Sequence, residues 1–174
     1  MEMKEILVFN IAPLNKSICL RELSEKEFRK FTNYDSNLRS IKTTLNPTKE
    51  LEQRFQRLIE RYSSPARSFG LYDDKTYIGY ISFAEYGCSN PEIQIEIQEN
   101  YQNCGIGYKA LSFLISEIFR QRADIEYFTY NVCTDNIASL KLIEKLGGKF
   151  IKQAFCIAKY RVFRNALNSE LKTK

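Results

Sequence analysis

EIQIEIQENYQNCGIGYKAL, residues 92–111, is the stretch on which the fold turns. Over 92–98 isoleucine alternates with Glu or Gln. That is the period-two pattern of a strand with one face buried and the other in polar surroundings. From 108, YKALSFLISEIFRQR sets Leu111, Leu114, Ile115, Ile118 and Phe119 on one helical face. Gln102-Asn103-Cys104-Gly105-Ile106-Gly107 therefore joins a strand to a helix start. There, free N–H groups and the positive end of the helix dipole attract an anion, and glycines let the backbone come close to it. The turn is a phosphate site in principle, although a purely structural tight turn would carry the same letters.

Two other phosphate-binding patterns share parts of this stretch. GIGYKA satisfies G-x-G-x-x-A, but a dinucleotide-binding strand is buried on both faces and the next strand ends in an acidic residue. Here the strand is half polar, and Glu126 begins the following strand instead of ending it. A P-loop requires Gly-Lys-Ser/Thr, whereas Tyr108 follows Gly107. Both patterns fail.

Outward from this segment, 174 residues suit one domain with one sizeable core. No repeat or linker interrupts them. No apolar run reaches the length of a membrane span, and MEMKEILVFNIAP is too acidic and its apolar patch too short for a secretory signal. A cytoplasmic location is expected, with no membrane partner. Five scattered cysteines without a C-x-x-C pair read as reduced thiols, and no metal site is expected. The net charge of +5 is spread along the chain, which suits small anionic ligands and gives no concentrated basic stripe for nucleic acid. The chain has no histidine. That excludes histidine-activated nucleophiles, H-E-x-x-H zinc sites and histidine bases, leaving Glu, Asp, Tyr, Cys, Lys or water to move protons.

Before the deciding stretch, SICLREL (17–23) alternates as a strand and feeds a helix with a capping box at Ser24 and Glu27. Asn46-Pro47-Thr48 opens a second helix whose Leu51, Phe55, Leu58, Ile59 and Tyr62 share a face. RSFGLY and TYIGYISFAEYG then form a hairpin about Asp73-Asp74-Lys75. After it, IEYFTYNV (125–132) reads as a strand, 139–150 as a helix closed by Gly147-Gly148, and FCIAKYRVF as a last strand. The order β-α-α-β-β-β-α-β-α-β implies an α+β, three-layer architecture with a mixed sheet between helices.

EIQIEIQENYQNCGIGYKAL resembles the central Q/R-x-x-G-x-G/A motif of the GNAT superfamily of acyl-CoA N-acyltransferases, and DNIASLKLIEKLGGKF resembles its N-x-x-S signature. The two lie at the family's separation, and the resemblance covers roughly residues 17–163. It implies a single acetyltransferase domain over 1–174, with 1–16 as an N-terminal extension and 164–174 as a basic tail. It also implies a mostly antiparallel sheet whose parallel strands splay around the CoA site. Acetyl-CoA would be the co-substrate, held at its pyrophosphate by backbone amides of Gln102, Asn103, Cys104, Gly105, Ile106 and Gly107. Ile97 would pair with pantetheine, and Asn136 and Ser139 would contact the cofactor arm. DNIAS also reads as a helix cap with no ligand. Cys104 stands where the family commonly has lysine or arginine.

An amine must lose a proton before it attacks the thioester, and the resulting oxyanion needs a donor, for which the resemblance offers the Ile97 amide. Glu92 and Glu96 share the polar strand face about 13 Å apart, so they cannot share one role. Glu92 occupies the family's base position and Glu96 is the alternative. Either also reads as a solvated strand residue. The tyrosine that protonates the leaving thiolate in many members is replaced by Ile143. Tyr127, Tyr130 or water are substitutes. The expected acceptor is an amine-bearing small molecule or a protein N-terminus, and the Arg21 region resembles the branch that acetylates ribosomal-protein N-termini. A homodimer through the late strands stays open, as does a non-catalytic acyl-CoA-binding role suggested by Ile143.

Overall fold

Three antiparallel pairings build the first half of the sheet. The computed structural model describes residues 5–31 and 67–166. Labels below count elements within these residues, and the helix expected over 49–62 lies outside them. The chain runs through β1 (Glu5–Ile11), β2 (Lys16–Leu23), α1 (Glu25–Phe31), β3 (Arg67–Asp73), β4 (Thr76–Ala84) and β5 (Glu92–Ile97). It continues through α2 (Ile106–Gln121), β6 (Tyr127–Cys133), α3 (Ile137–Lys145), β7 (Lys149–Ala154) and β8 (Ile157–Phe163). The eight strands form one sheet in the order β1-β2-β3-β4-β5-β6-β8-β7. Every neighbouring pair is antiparallel except β5 and β6. The mixed sheet between helices read from the sequence is the one observed.

One sheet face is continuously apolar. Leu20, Phe69, Ile81, Phe83, Ile93 and Phe128 are fully buried on it, and α2 covers them with Leu111, Leu114, Ile115 and Ile118. Phe83 and Phe119 both pack on Phe128, with ring centroids 5.2 and 4.8 Å away. The opposite face has a smaller apolar cluster, Cys19, Leu23 and Tyr72 under Phe28 and Phe31 of α1. Beyond that cluster it turns polar. The capping box that starts α1 is present: the Ser24 amide donates to Glu27 Oε2 at 2.8 Å, and the Glu27 amide returns to Ser24 Oγ at 3.3 Å.

Two sequence expectations are corrected, both outside the helix read as closed by Gly147-Gly148. That helix stops at Lys145 as the pair implies, with Gly147 at φ +75 and the Gly148 amide folded back onto the Ile143 carbonyl at 2.9 Å. The chain after it is not one strand but two, β7 and β8, joined through Phe155 at φ +52. Every residue of β7 is exposed, so it has no alternation for a sequence pattern to catch. Residues 5–11, read as part of an extension, form the edge strand β1, in register with β2 from Glu5↔Arg21 to Ile11↔Lys16.

Candidate active site

The parallel pair at the middle of the sheet comes apart almost as soon as it forms. β5 and β6 share a single register pair, Glu92↔Thr129, with the Thr129 amide donating to Pro91 O at 2.9 Å. Past that point β5 keeps β4 as far as Ile97↔Gly79, and β6 keeps β8 as far as Cys133↔Ile157. A gap therefore opens between the C-terminal ends of the two central strands. Gln98 donates its N–H to Ile78 O on β4 at 2.8 Å. Strand alternation then turns the polar groups of Ile97 the other way, toward the gap. The Ile97 carbonyl takes a 2.7 Å bond from Gln102 Nε2, while its N–H faces the gap.

The glycine loop closes one end of this gap. A short turn over Glu99–Tyr101 brings the Gln102 amide onto Glu99 O at 3.1 Å. Gln102 thus closes the turn with its backbone N–H and fixes the loop to β5 with its side-chain amide. Asn103 and Gly105 take positive φ, +56 and +84, and α2 begins at Ile106 without a side-chain cap. The first-turn N–H groups of α2 are left for an anion. The two glycines act differently. A Cβ on Gly105 would meet nothing within 4 Å, so glycine is there for its left-handed conformation. A Cβ on Gly107 would lie 3.2 Å from Ile95 Cδ1 and 3.4 Å from Leu142 Cδ2, so this glycine lets helix and strand approach.

Between β5, the loop and α3 lies a cleft of about 390 Å³. Of the residues singled out from sequence, Glu96, Ile97, Gln102, Asn103, Gly105, Ile106, Gly107, Asn136 and Ser139 line it. Cys104 does not; its thiol turns back to Gln102 O at 3.2 Å. Glu92 lies outside it as well. Asn136 combines two positions, lining the cleft while its Oδ1 caps α3 through the Ser139 amide at 3.1 Å. Sequence reasoning missed Tyr101, Tyr108, Lys141 and Lys145. The two lysines are one helical turn apart on α3, a spacing that could have revealed them. Lys145 Nζ sits 4.3 Å from the Tyr108 ring. They supply the cationic charge that Cys104 does not. The Tyr101 hydroxyl donates to Asp73 at 2.8 Å, and Lys16 bonds both partners.

Around the point of separation the two faces differ. On the polar face Glu92 is only 5 % exposed and stands beside buried Thr129, with the buried Ser68–Ser82 hydroxyl pair at 3.0 Å further along. Glu92 is therefore no solvated strand residue. Glu96 is exposed; burial followed by its charge pushes the Tyr80 hydroxyl up to about 12, and burial, then Tyr80 and Glu96, push Tyr77 higher still. On the helix side Tyr130 is the first β6 residue past the last β5–β6 pair; burial raises its hydroxyl pKa, and it meets the Ser139 side chain. Ile143 is fully buried in the core and faces no cleft. All five cysteines are free thiols. Among the described residues no group of three or more Cys, Asp or Glu is arranged to hold a metal.

The sequence model of the acetyltransferase (GNAT) domain matches residues 17–149. The chain belongs to the GNAT acetyltransferase family. As a GNAT enzyme it is an acyl-CoA-dependent N-acetyltransferase that uses acetyl-CoA. No curated relative matches it significantly. Solved structures share its fold at low identity. The spermidine N-acetyltransferase of Vibrio cholerae, solved with CoA and spermine, is 18 % identical, with 87 % of this chain and 98 % of that one covered and a TM-score of 0.58. The ribosomal-protein-S5-alanine acetyltransferase of Vibrio fischeri is 16 % identical, covering 92 % and 98 %, at a TM-score of 0.59. The Campylobacter jejuni N-acetyltransferase PseH with acetyl coenzyme A is 17 % identical, covering 84 % and 99 %, at 0.54. The residues of this GNAT cleft suit such a ligand: uncapped amides and two lysines for phosphates, and a strand edge for an amide-bearing arm.

Proposed function

We propose that this acetyltransferase works in the cytoplasm by direct transfer to a primary amine in a ternary complex. The observation that carries the reading is the separation of β5 and β6 just past Glu92↔Thr129. It sets a cleft for acetyl-CoA on the helix side against the polar sheet face on the other, with one buried carboxylate at the junction. Bound acetyl-CoA supplies an activated carbonyl with a good leaving group. Asn103, Gly105, Ile106 and Gly107 hold the pyrophosphate with Lys141 and Lys145, and Ile97 offers its N–H to the pantetheine arm or the carbonyl oxygen. Glu92 takes the proton of the attacking amine, directly or through water. As the C–N bond forms and the C–S bond breaks, the thiolate takes a proton on the helix side, where Tyr130 stands in for the tyrosine that Ile143 replaces.

The experiment is thermal unfolding with acetyl-CoA, CoA, NAD and ATP, followed by thiol release with a panel of amines. A ligand at a hundred times its Kd adds about 2.7 kcal/mol. Both CoA species should raise Tm while NAD and ATP leave it unchanged, and thiol release should require an amine. Stabilisation without turnover on any amine would favour an acyl-CoA sensor. No stabilisation by either CoA species would overturn the reading.

A further inference from the structure

On the polar face, sheet pairing gathers cations that lie far apart in sequence. The row Glu92↔Thr129↔Arg161↔Lys149 crosses β5, β6, β8 and β7, and the adjacent row continues Asn131↔Lys159↔Lys152. Directly paired residues project from the same sheet face. Lys149, Lys152, Lys159 and Arg161 thus form one basic shelf beside the buried carboxylate of Glu92. Aromatic rings set two of these cations in place. Tyr127 and Phe163 pack with centroids 5.5 Å apart; Arg161 lies 4.2 Å over the first ring and Lys149 5.8 Å over the second. Among the described residues none of the four forms an ion pair. Arg161 Nε is buried with no hydrogen-bond partner. A buried guanidinium donor left unmatched calls for an acceptor supplied from outside.

We infer that the acceptor of this acetyltransferase carries carboxylates beside its amine, and that the basic shelf binds them. The inference rests on the acetyl-transfer reading and deepens it. The arrangement is bipolar: Glu92 faces the amine and the shelf faces the acidic remainder, with neighbouring strands only about 5 Å apart. The row from Glu92 to Arg161 then spans about 10 Å, the reach of an N-terminus followed by acidic residues. A polyamine meets the opposite field, since its distal ammonium groups would lie on the lysines. Such like-charge contacts select against a partner as strongly as matched charges select for one.

The test measures kcat/KM at low and high salt for four acceptor classes: peptides whose N-terminal residues are followed by Asp and Glu, the same peptides with Asn and Gln, free glutamate and aspartate, and spermidine. Acidic peptides should exceed neutral ones by about tenfold at low salt, with the advantage shrinking as salt rises. K149E/K152E/K159E should remove or invert it, and the milder K149A/K152A should reduce it, both with an unchanged Kd for acetyl-CoA. Free glutamate matching the acidic peptides would assign a small amino-dicarboxylate, with the chemistry upheld. Preference for spermidine, or an acidic preference that survives both variants, overturns the inference. So does generic single-stranded RNA that binds the shelf more tightly than the acidic peptides. Should no amine turn over, the transfer reading fails by itself. The inference is then read from acidic-peptide binding to the acetyl-CoA-loaded protein, upheld if the variants abolish it and overturned if they do not.

Discussion

On its isoleucine face β5 packs Ile95 and Ile97 against Gly107 and Leu142, while its other face buries Glu92 beside Thr129 and exposes Glu96 near Tyr77 and Tyr80. The first face serves the cofactor cleft and is made largely by one continuous stretch, residues 95–108, with help from α3. The second, which the proposed function gives to the acceptor, is assembled from β3, β4, β5, β6, β7 and β8. On that reading, cofactor recognition is local backbone geometry. Acceptor recognition is then tertiary side-chain composition. A change to the loop should therefore remove cofactor binding, and a change on the polar face should leave that binding in place.

Gly105→Glu should have the largest effect. It forces a side chain onto φ +84 and puts a negative charge among amides that await a phosphate. Acetyl-CoA affinity should fall by about a hundredfold or more, about 2.7 kcal/mol, and Tm should no longer respond to the ligand. A variant that still binds normally would remove the helix start from the cofactor site. Glu92→Gln probes the other face and should lower kcat by about a hundredfold with the acetyl-CoA Kd unchanged. Tyr130→Phe should lower kcat by about tenfold or more and flatten the alkaline limb of the rate profile. Normal turnover by either variant would hand that proton transfer to water.

This contrast explains what could be read from the amino acids alone. EIQIEIQ and QNCGIG announce a strand, a turn and a helix start because each depends on neighbours within a few residues. The motif holds two glycines, and only the structure separates the conformational Gly105 from the packing Gly107. Strand β7 was illegible because an edge strand exposed on all its residues has no buried face to impose alternation. The basic shelf was illegible for a different reason. Lys149, Lys152, Lys159 and Arg161 looked like a dispersed excess of charge until β7 paired with β8. The same holds for Glu92, buried where the parallel pair sets it beside Thr129, 37 positions away by number.

Ile143 separates inherited sequence position from physical role. It stands where the family resemblance places a proton-donating tyrosine, yet it is fully buried, and a Cβ added at Gly148 would lie only 2.7 Å from its Cγ1. Ile143→Tyr should therefore not restore an acid. Overpacking should cost about 1–3 kcal/mol and lower Tm, with kcat no higher than in the parent. A rise in kcat would show that the α3 position opens to the cleft after all.

The smallest expected effect lies at the rim, where Asp73 and Lys16 brace Tyr101. A hydrogen bond from Lys16, then one from Tyr101, holds the Asp73 carboxyl below its usual range, and the bond to Asp73 holds Lys16 above its own. For a depressed carboxylate, the stabilisation is complete above its unfolded pKa, about 3.9, and is lost as pH falls through the lower folded value. For a raised lysine it is complete below about 10.4 and lost as pH rises through the folded value. The brace should therefore be intact across the neutral range and weaken at both extremes. Because the pair is exposed, solvent screening keeps its contribution small. Acetyl-CoA itself titrates, so the useful measurement is the ratio of Kd values for Asp73→Asn and the parent at each pH. That ratio should be a few-fold near neutrality, hold through the ordinary carboxylate range, and fall to one only as pH drops through the depressed folded value of Asp73. A ratio of one throughout would show that Tyr101 holds the rim without its partners.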